Sequence, residues 1–171
     1  MRMRWSEKDR CVALSLYHTS PKAYRWLKKI FALPSIATLR REMRKVKVYP
    51  GFNENILTSL NEKLAVMPEG SHICALRFDE MAIKEQVQYN TERDEVEGFE
   101  DFGSQGKTNL VANHVRVFML RGLLKGWKQP IGYFLSTGPI DSDRLRSLLM
   151  QGLDEVLKKG MKVKVVIADQ G

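Results

Sequence analysis

Ile73-Cys74-Ala75-Leu76-Arg77-Phe78-Asp79-Glu80-Met81 is the stretch on which the reading of this 171-residue chain turns. His72–Asp79 is an apolar run of strand length that follows the turn signal Pro68-Glu69-Gly70, so it reads as a buried strand stopping on an acid. A second run, Val163-Lys164-Val165-Val166-Ile167-Ala168, stops in the same way on Asp169. Ahead of it, Arg144 to Lys159 carries Leu145, Leu148, Leu149, Leu153, Val156 and Leu157 at helical spacing, and Gly160 ends the helix. A helix of that length crossing back to a strand normally returns it parallel to its neighbour, which would bring both acids out at one sheet edge.

The residues alone leave two readings of these acids. A carboxylate at the end of a buried strand is costly to desolvate unless it meets a cation or donors. Two of them converging supply hard oxygen ligands for Mg²⁺ or Mn²⁺, which can activate water and stabilise the leaving oxygen of a phosphodiester. Alternatively, Asp79 and Asp169 each cap a following turn or helix.

Between these two runs, weaker strands are expected at Gln86–Tyr89 and Val96–Phe99, with Thr91–Glu95 as a hairpin tip. Stronger ones are expected at Val111–Leu120 and Ile131–Leu135, with Trp127-Lys128-Gln129-Pro130 as a turn. In front lies helical sequence. Ser6 caps a helix from Glu7 to His18 with Cys11, Val12, Leu14, Leu16 and Tyr17 as its stripe. Ser20-Pro21 restarts the chain into Lys22–Phe31, with Ala23, Trp26, Leu27 and Ile30 on one face. Leu33-Pro34-Ser35 then opens a third helix carrying Ile36, Leu39 and Met43 inward. Asn53 caps a fourth, with Ile56, Leu57, Leu60, Leu64 and Met67 as its stripe. The sum is an α+β chain: a helical segment over 1–49, a connecting helix over 50–70, and a mixed sheet with a crossover helix over 71–171.

Charge separates front from back. Of the net +8, residues 1–50 hold 13 Lys/Arg against 3 Asp/Glu, and the remainder holds 15 against 17. A tight helical pair whose second member is basic has the outline of a helix-turn-helix, with Ser35–Lys45 as recognition helix. Lys28, Lys29, Arg40, Arg41, Arg44 and Lys45 are the candidate DNA contacts. The same charge also fits a merely solvated helix surface.

Other functions are argued against. No run approaches the ~18 apolar residues of a membrane span, and the charged Met1-Arg2-Met3-Arg4 start is no secretory signal. Cys11 and Cys74, far apart and in apolar patterns, read as buried thiols of a reducing compartment, with no Cys-based zinc site. Gly103-Ser104-Gln105-Gly106-Lys107-Thr108 lacks the first glycine of a P-loop, since Asp101 holds that place. The acids Glu92, Asp94, Glu95, Glu97, Glu100 and Asp101 read as a solvated hairpin face, and His18, His72 and His114 have no ligand spacing.

Phe78-Asp79-Glu80-Met81-Ala82-Ile83-Lys84, Lys125-Gly126-Trp127-Lys128-Gln129-Pro130-Ile131-Gly132-Tyr133-Phe134 and Asp169-Gln170-Gly171 together resemble the P element and THAP-domain DNA transposases. Leu33-Pro34-Ser35-Ile36-Ala37-Thr38-Leu39-Arg40 resembles that family's helix-turn-helix segment. The resemblance covers nearly the whole chain in the correct order. It implies an RNase H-like fold, a cut-and-paste DDE/D transposase, and Asp79 and Asp169 as catalytic, metal-holding acids with Mg²⁺ or Mn²⁺ as cofactor. It further implies DNA, both transposon ends and target, as partner, a homo-oligomer for the full-length enzyme, and a nuclear location. The family's third acid lies well beyond its second, past an insertion domain, whereas this sequence ends two residues after Asp169. Its THAP zinc finger needs more than two cysteines. The expectation is therefore a transposase fragment, inactive alone for want of the third acid. The alternative is a truncated or domesticated DNA-binding protein that uses only its basic N-terminal helices.

Overall fold

A computed structural model describes residues 5–68, 70–91 and 93–168. They form two compact units, Met1–Val48 and Tyr49–Gly171, each with its own core.

In the first unit, α1 (Glu7–Thr19), α2 (Pro21–Leu27) and α3 (Ile36–Arg44) begin on the caps expected from sequence. The Ser6 hydroxyl accepts the Asp9 N–H while the Asp9 carboxylate accepts the Ser6 N–H, a reciprocal capping box. The side-chain hydrogen bond from Ser6 also holds the Asp9 carboxyl below its ordinary range. Ser20 and Ser35 accept from the N–H groups of Ala23 and Thr38. The helices close over Ala13, Tyr24 and Leu39, and the fully buried Tyr24 donates its hydroxyl to the Pro34 carbonyl at 2.7 Å.

Two expectations are corrected here. The second helix stops at Leu27, not Phe31: Lys29 and Ile30 donate to carbonyls three residues back, a tightened last turn that leaves the helical stripe. Tyr24 consequently fills the core, and Trp26 and Ile30 stand exposed. Cys11 is exposed as well, because Ala13, with Leu14, Leu16 and Tyr17, takes the contact side of α1.

The second unit runs β1 (Gly51–Phe52), α4 (Glu54–Ala65), β2 (Ile73–Ala82), β3 (Gln88–Asn90), β4 (Glu95–Glu97) and β5 (Phe99–Asp101). It continues with β6 (Lys107–Val111), β7 (His114–Gly122), β8 (Lys128–Ser136), α5 (Ser142–Lys158) and β9 (Lys162–Ala168). One sheet has the order β6-β5-β8-β7-β2-β9 with β1 added against β8, and β3 and β4 pair separately. β2 is antiparallel to β7 from Cys74↔Gly122 to Ala82↔His114, and parallel to β9 from Ile73↔Lys162 to Phe78↔Ala168. α5 lies between β8 and β9 in the chain, so it is the crossover that permits this parallel return.

The strand does not stop on Asp79. Pairing with β7 carries β2 three residues further, through Glu80↔Arg116 and Met81↔Val115 to Ala82. The expected strand Val111–Leu120 is two strands, broken at Ala112-Asn113, where the Ala112 N–H leaves for the Gly98 carbonyl and the Asn113 side chain accepts the Gly138 N–H. The expected turn at Trp127–Pro130 also shrinks, for β8 already begins at Lys128. Pro130 is accommodated at a register shift opposite Phe118 and Met119, where its missing N–H does little harm.

One face of the sheet is the core. Cys74, Leu76, Phe118, Leu120, Ile131 and Phe134 pack with Leu57, Leu60 and Leu64 of α4 and Leu148 and Val156 of α5, so the helix expected as a connector belongs to this core. Phe52 enters the same layer, with ring centroids 5.3 Å from Phe118 and 5.2 Å from Phe134. Glycines make room for it: a Cβ on Gly132 would lie 2.6 Å from the Gly51 carbonyl oxygen, and one on Gly152 would lie 2.6 Å from the Phe52 ring.

Candidate active face and nucleic-acid interface

Side chains alternate along β2, so Cys74, Leu76 and Phe78 enter the core while Ala75, Arg77, Asp79 and Met81 take the opposite face. Asp79 is exposed there, with one carboxylate oxygen accepting the Glu80 N–H at 2.8 Å. It lines an open groove of about 220 Å³ with Arg77, Phe78, Met81, Val117, Met119 and Ile167. The parallel pairing with β9 is described as far as Phe78 and Ala168; Asp169 lies outside the described residues.

Glu80 takes the other face. It accepts a hydrogen bond from the guanidinium of its cross-strand partner Arg116, which is only 8% exposed and sits 5.8 Å from the Phe78 ring centroid. Phe78 in turn stacks on Phe118 at 5.4 Å. A paired buried charge and two stacked rings thus back the strand directly behind Asp79, which fixes the backbone carrying the acid.

The donor at Asp79 is a hard carboxylate oxygen, the kind that Mg²⁺ prefers. Among the described residues, however, no group of three His, Cys, Asp or Glu could hold a metal. Asp79 fits such an ion as one ligand. Two other acids of this unit are engaged elsewhere: Asp101 with Lys107 at 2.8 Å, and Glu97 with Arg93 at 3.0 Å.

In the first unit, Arg40, Arg41 and Arg44 line one open cleft of about 660 Å³ with Ile36, Ala37 and Arg25. Arg25 comes from α2 and was missed as a candidate contact, since only the closing of the three helices over Ala13, Tyr24 and Leu39 brings it beside α3. Lys45 is drawn away from this set: it donates to Glu42 at 2.8 Å, and Arg10 reaches the same carboxylate at 3.3 Å. The hydrogen bond from Lys45, chief among these contacts, holds the Glu42 carboxyl below its ordinary range. Lys28 and Lys29 follow α2, exposed, and do not line the cleft.

An antiparallel run of three main strands with a fourth parallel to the first, reached through a crossover helix, defines an RNase H-like domain, preceded here by a helical unit. The chain belongs to the family described as TNP-like, RNase H N-terminal domain, which matches residues 48–171. Residues 1–41 match the transposable element P transposase-like HTH domain. The human DNA transposase THAP9 is 30% identical over 178 residues, covering 96% of this chain and 19% of that protein. The Drosophila melanogaster transposable element P transposase is 28% identical over 171 residues, covering 99% of this chain and 20% of that protein. The solved Drosophila P element transposase strand transfer complex superposes with a TM-score of 0.74 at 26% identity, over 100% of this chain and 35% of that one. The chain therefore spans about a fifth of the length of the curated relatives it matches.

Proposed function

We propose that this chain is the DNA-contacting and acid-bearing portion of a cut-and-paste DNA transposase, working in the nucleus on transposon ends and target DNA. The observation that carries the reading is continuity: both family matches, in order, together with a solved transposase complex similar along the whole chain. Asp79, with Asp169, would hold Mg²⁺ or Mn²⁺, and a divalent ion so held supplies water activation and charge stabilisation to phosphodiester cleavage and joining. Asp79 presents its carboxylate from a strand kept extended by the Glu80–Arg116 pair, so the ligand is positioned before DNA arrives. In the first unit, Arg40, Arg41 and Arg44 of α3, joined by Arg25, contact the DNA, with Lys28, Lys29 and Lys45 contributing at the margin.

A Mg²⁺ titration of isotope-labelled protein tests the acid site. Saturable shifts at Asp79 and its neighbours are expected in the parent chain and not in Asp79→Asn; identical titrations of the two proteins would contradict the assignment. A second reading, DNA binding without catalysis, is supported by the arginine-lined cleft of the first unit, which can hold phosphates with no help from the acids. Two carboxylates hold metal weakly, so these 171 residues should nick supercoiled plasmid little or not at all. Robust Mg²⁺-dependent nicking that disappears in Asp79→Ala would instead favour an active enzyme.

A further inference from the structure

The sheet face that carries Asp79 also carries cations that the assignment of the acid does not use. Arg77 is two residues back on the same strand, about 6.6–6.8 Å away along it, and on the same side. The next row along the sheet is Ala75↔Arg121 in the pairing of β2 with β7, and Arg121↔Lys128 in that of β7 with β8. Cross-strand partners share a face, so Arg121 and Lys128 stand side by side behind Arg77, both exposed.

Like charges directly opposite on an antiparallel pair destabilise it. Several other cations of this unit are neutralised: Arg116 by Glu80, Arg93 by Glu95 and Glu97, Lys107 by Asp101. Among the described residues, Arg77, Arg121 and Lys128 have no ion pair, and Asp79 is the one carboxylate lining the groove that Arg77 enters. A like-charged pair, Arg121 and Lys128, with no ion-pair partner among the described residues and Arg77 ahead of it on the face of the candidate metal acid, matches a polyanion that arrives from outside.

We propose that Arg77, Arg121 and Lys128 form a phosphate-binding row, and that their ligand is the sugar-phosphate backbone of a DNA strand laid across this face toward Asp79. The assignment rests on the reading of the chain as DNA-acting. Arg77 takes the phosphate nearest the acid, while Arg121 and Lys128 hold the strand further back and set its direction. Val117, Met119 and Ile167 line the same groove as Arg77 and lower the local dielectric on that side, which strengthens its hold on a phosphate oxygen.

The test uses the full chain carrying Arg40→Ala, Arg41→Ala and Arg44→Ala, so that the first unit contributes little, and a fluorescent single-stranded thymidine oligonucleotide in EDTA. Without metal, failure of Asp79 to bind Mg²⁺ leaves the outcome unchanged, and the two readings fail separately. Adding Arg77→Gln and Arg121→Gln should weaken binding at low salt tenfold or more and flatten the dependence on salt by about 0.7 unit of slope for each arginine replaced. Arg77→Lys should retain most of the affinity. Affinity within twofold of the parent would overturn the proposal, as would polyglutamate competing as well as the oligonucleotide, which would identify an acidic protein as the ligand. As a check on the unliganded state, Arg121→Gln alone should raise the melting midpoint by relieving the repulsion. A lowered midpoint would mean that the row is structural and would overturn the assignment.

Discussion

Asp79 is an exposed carboxylate on a strand whose other side is packed, and that contrast separates its chemistry from its contribution to folding. Asp79→Asn should leave stability within about 0.5 kcal/mol, as surface substitutions usually do, while abolishing metal-induced shifts. Behind it, Glu80→Ala strips the partner from a buried guanidinium and should cost about 3 kcal/mol in urea unfolding, whereas replacing both members with apolar residues should cost far less. The cysteines offer a contrast of the same kind. Burial pushes the Cys74 thiol up to about 11 from 9.0, while Cys11 is exposed, so a thiol reagent near pH 8 should modify Cys11 alone in the folded protein. The raised thiol favours the neutral form in the folded state. Its contribution to stability is therefore complete below pH 9, lost as pH climbs toward 11, and readable as a falling melting midpoint that Cys74→Ala flattens. Sequence placed Cys74 in the core, because its burial follows from local apolar pattern. It misplaced Cys11, Trp26 and Ile30, because the contact side of a short helix is decided by its neighbours.

Among the secondary-structure elements, the helix starts were legible because each is written in a few adjacent residues: Ser6 with Asp9, Ser20 with Pro21, Ser35 and Asn53. Strand limits were not. Nothing in Val111-Ala112-Asn113-His114-Val115 marks where one strand ends and the next begins, and the break there is made by distant partners, Gly98 and Gly138. The extension of β2 past Asp79 is likewise set by β7, through a cross-strand ion pair that a reading of one strand does not contain. The insertion of Phe52 between two glycine positions is tertiary in the same sense. Gly152→Val should cost about 1–3 kcal/mol, since the added methyl groups overlap the Phe52 ring; an unchanged denaturation midpoint would show that the ring can yield.

For the molecule as a whole, the most legible feature was the uneven charge, because a net count needs no geometry. The structure sharpens it into one arginine-lined cleft in the first unit, with Lys45 drawn off to Glu42. The α+β order was legible from the succession of strands and the crossover helix, and the RNase H-like fold through the family resemblance; which side chains meet around Asp79 was not, because that depends on residues far apart in the chain. Whether this chain acts on DNA through that cleft is decided by duplex DNA affinity measured against salt. The parent chain should lose affinity steeply between about 50 and 200 mM salt. The slope should become shallower by about one unit for each arginine removed as Arg25, Arg40, Arg41 and Arg44 become Ala. An affinity indifferent both to salt and to the four substitutions would contradict action on DNA through the cleft.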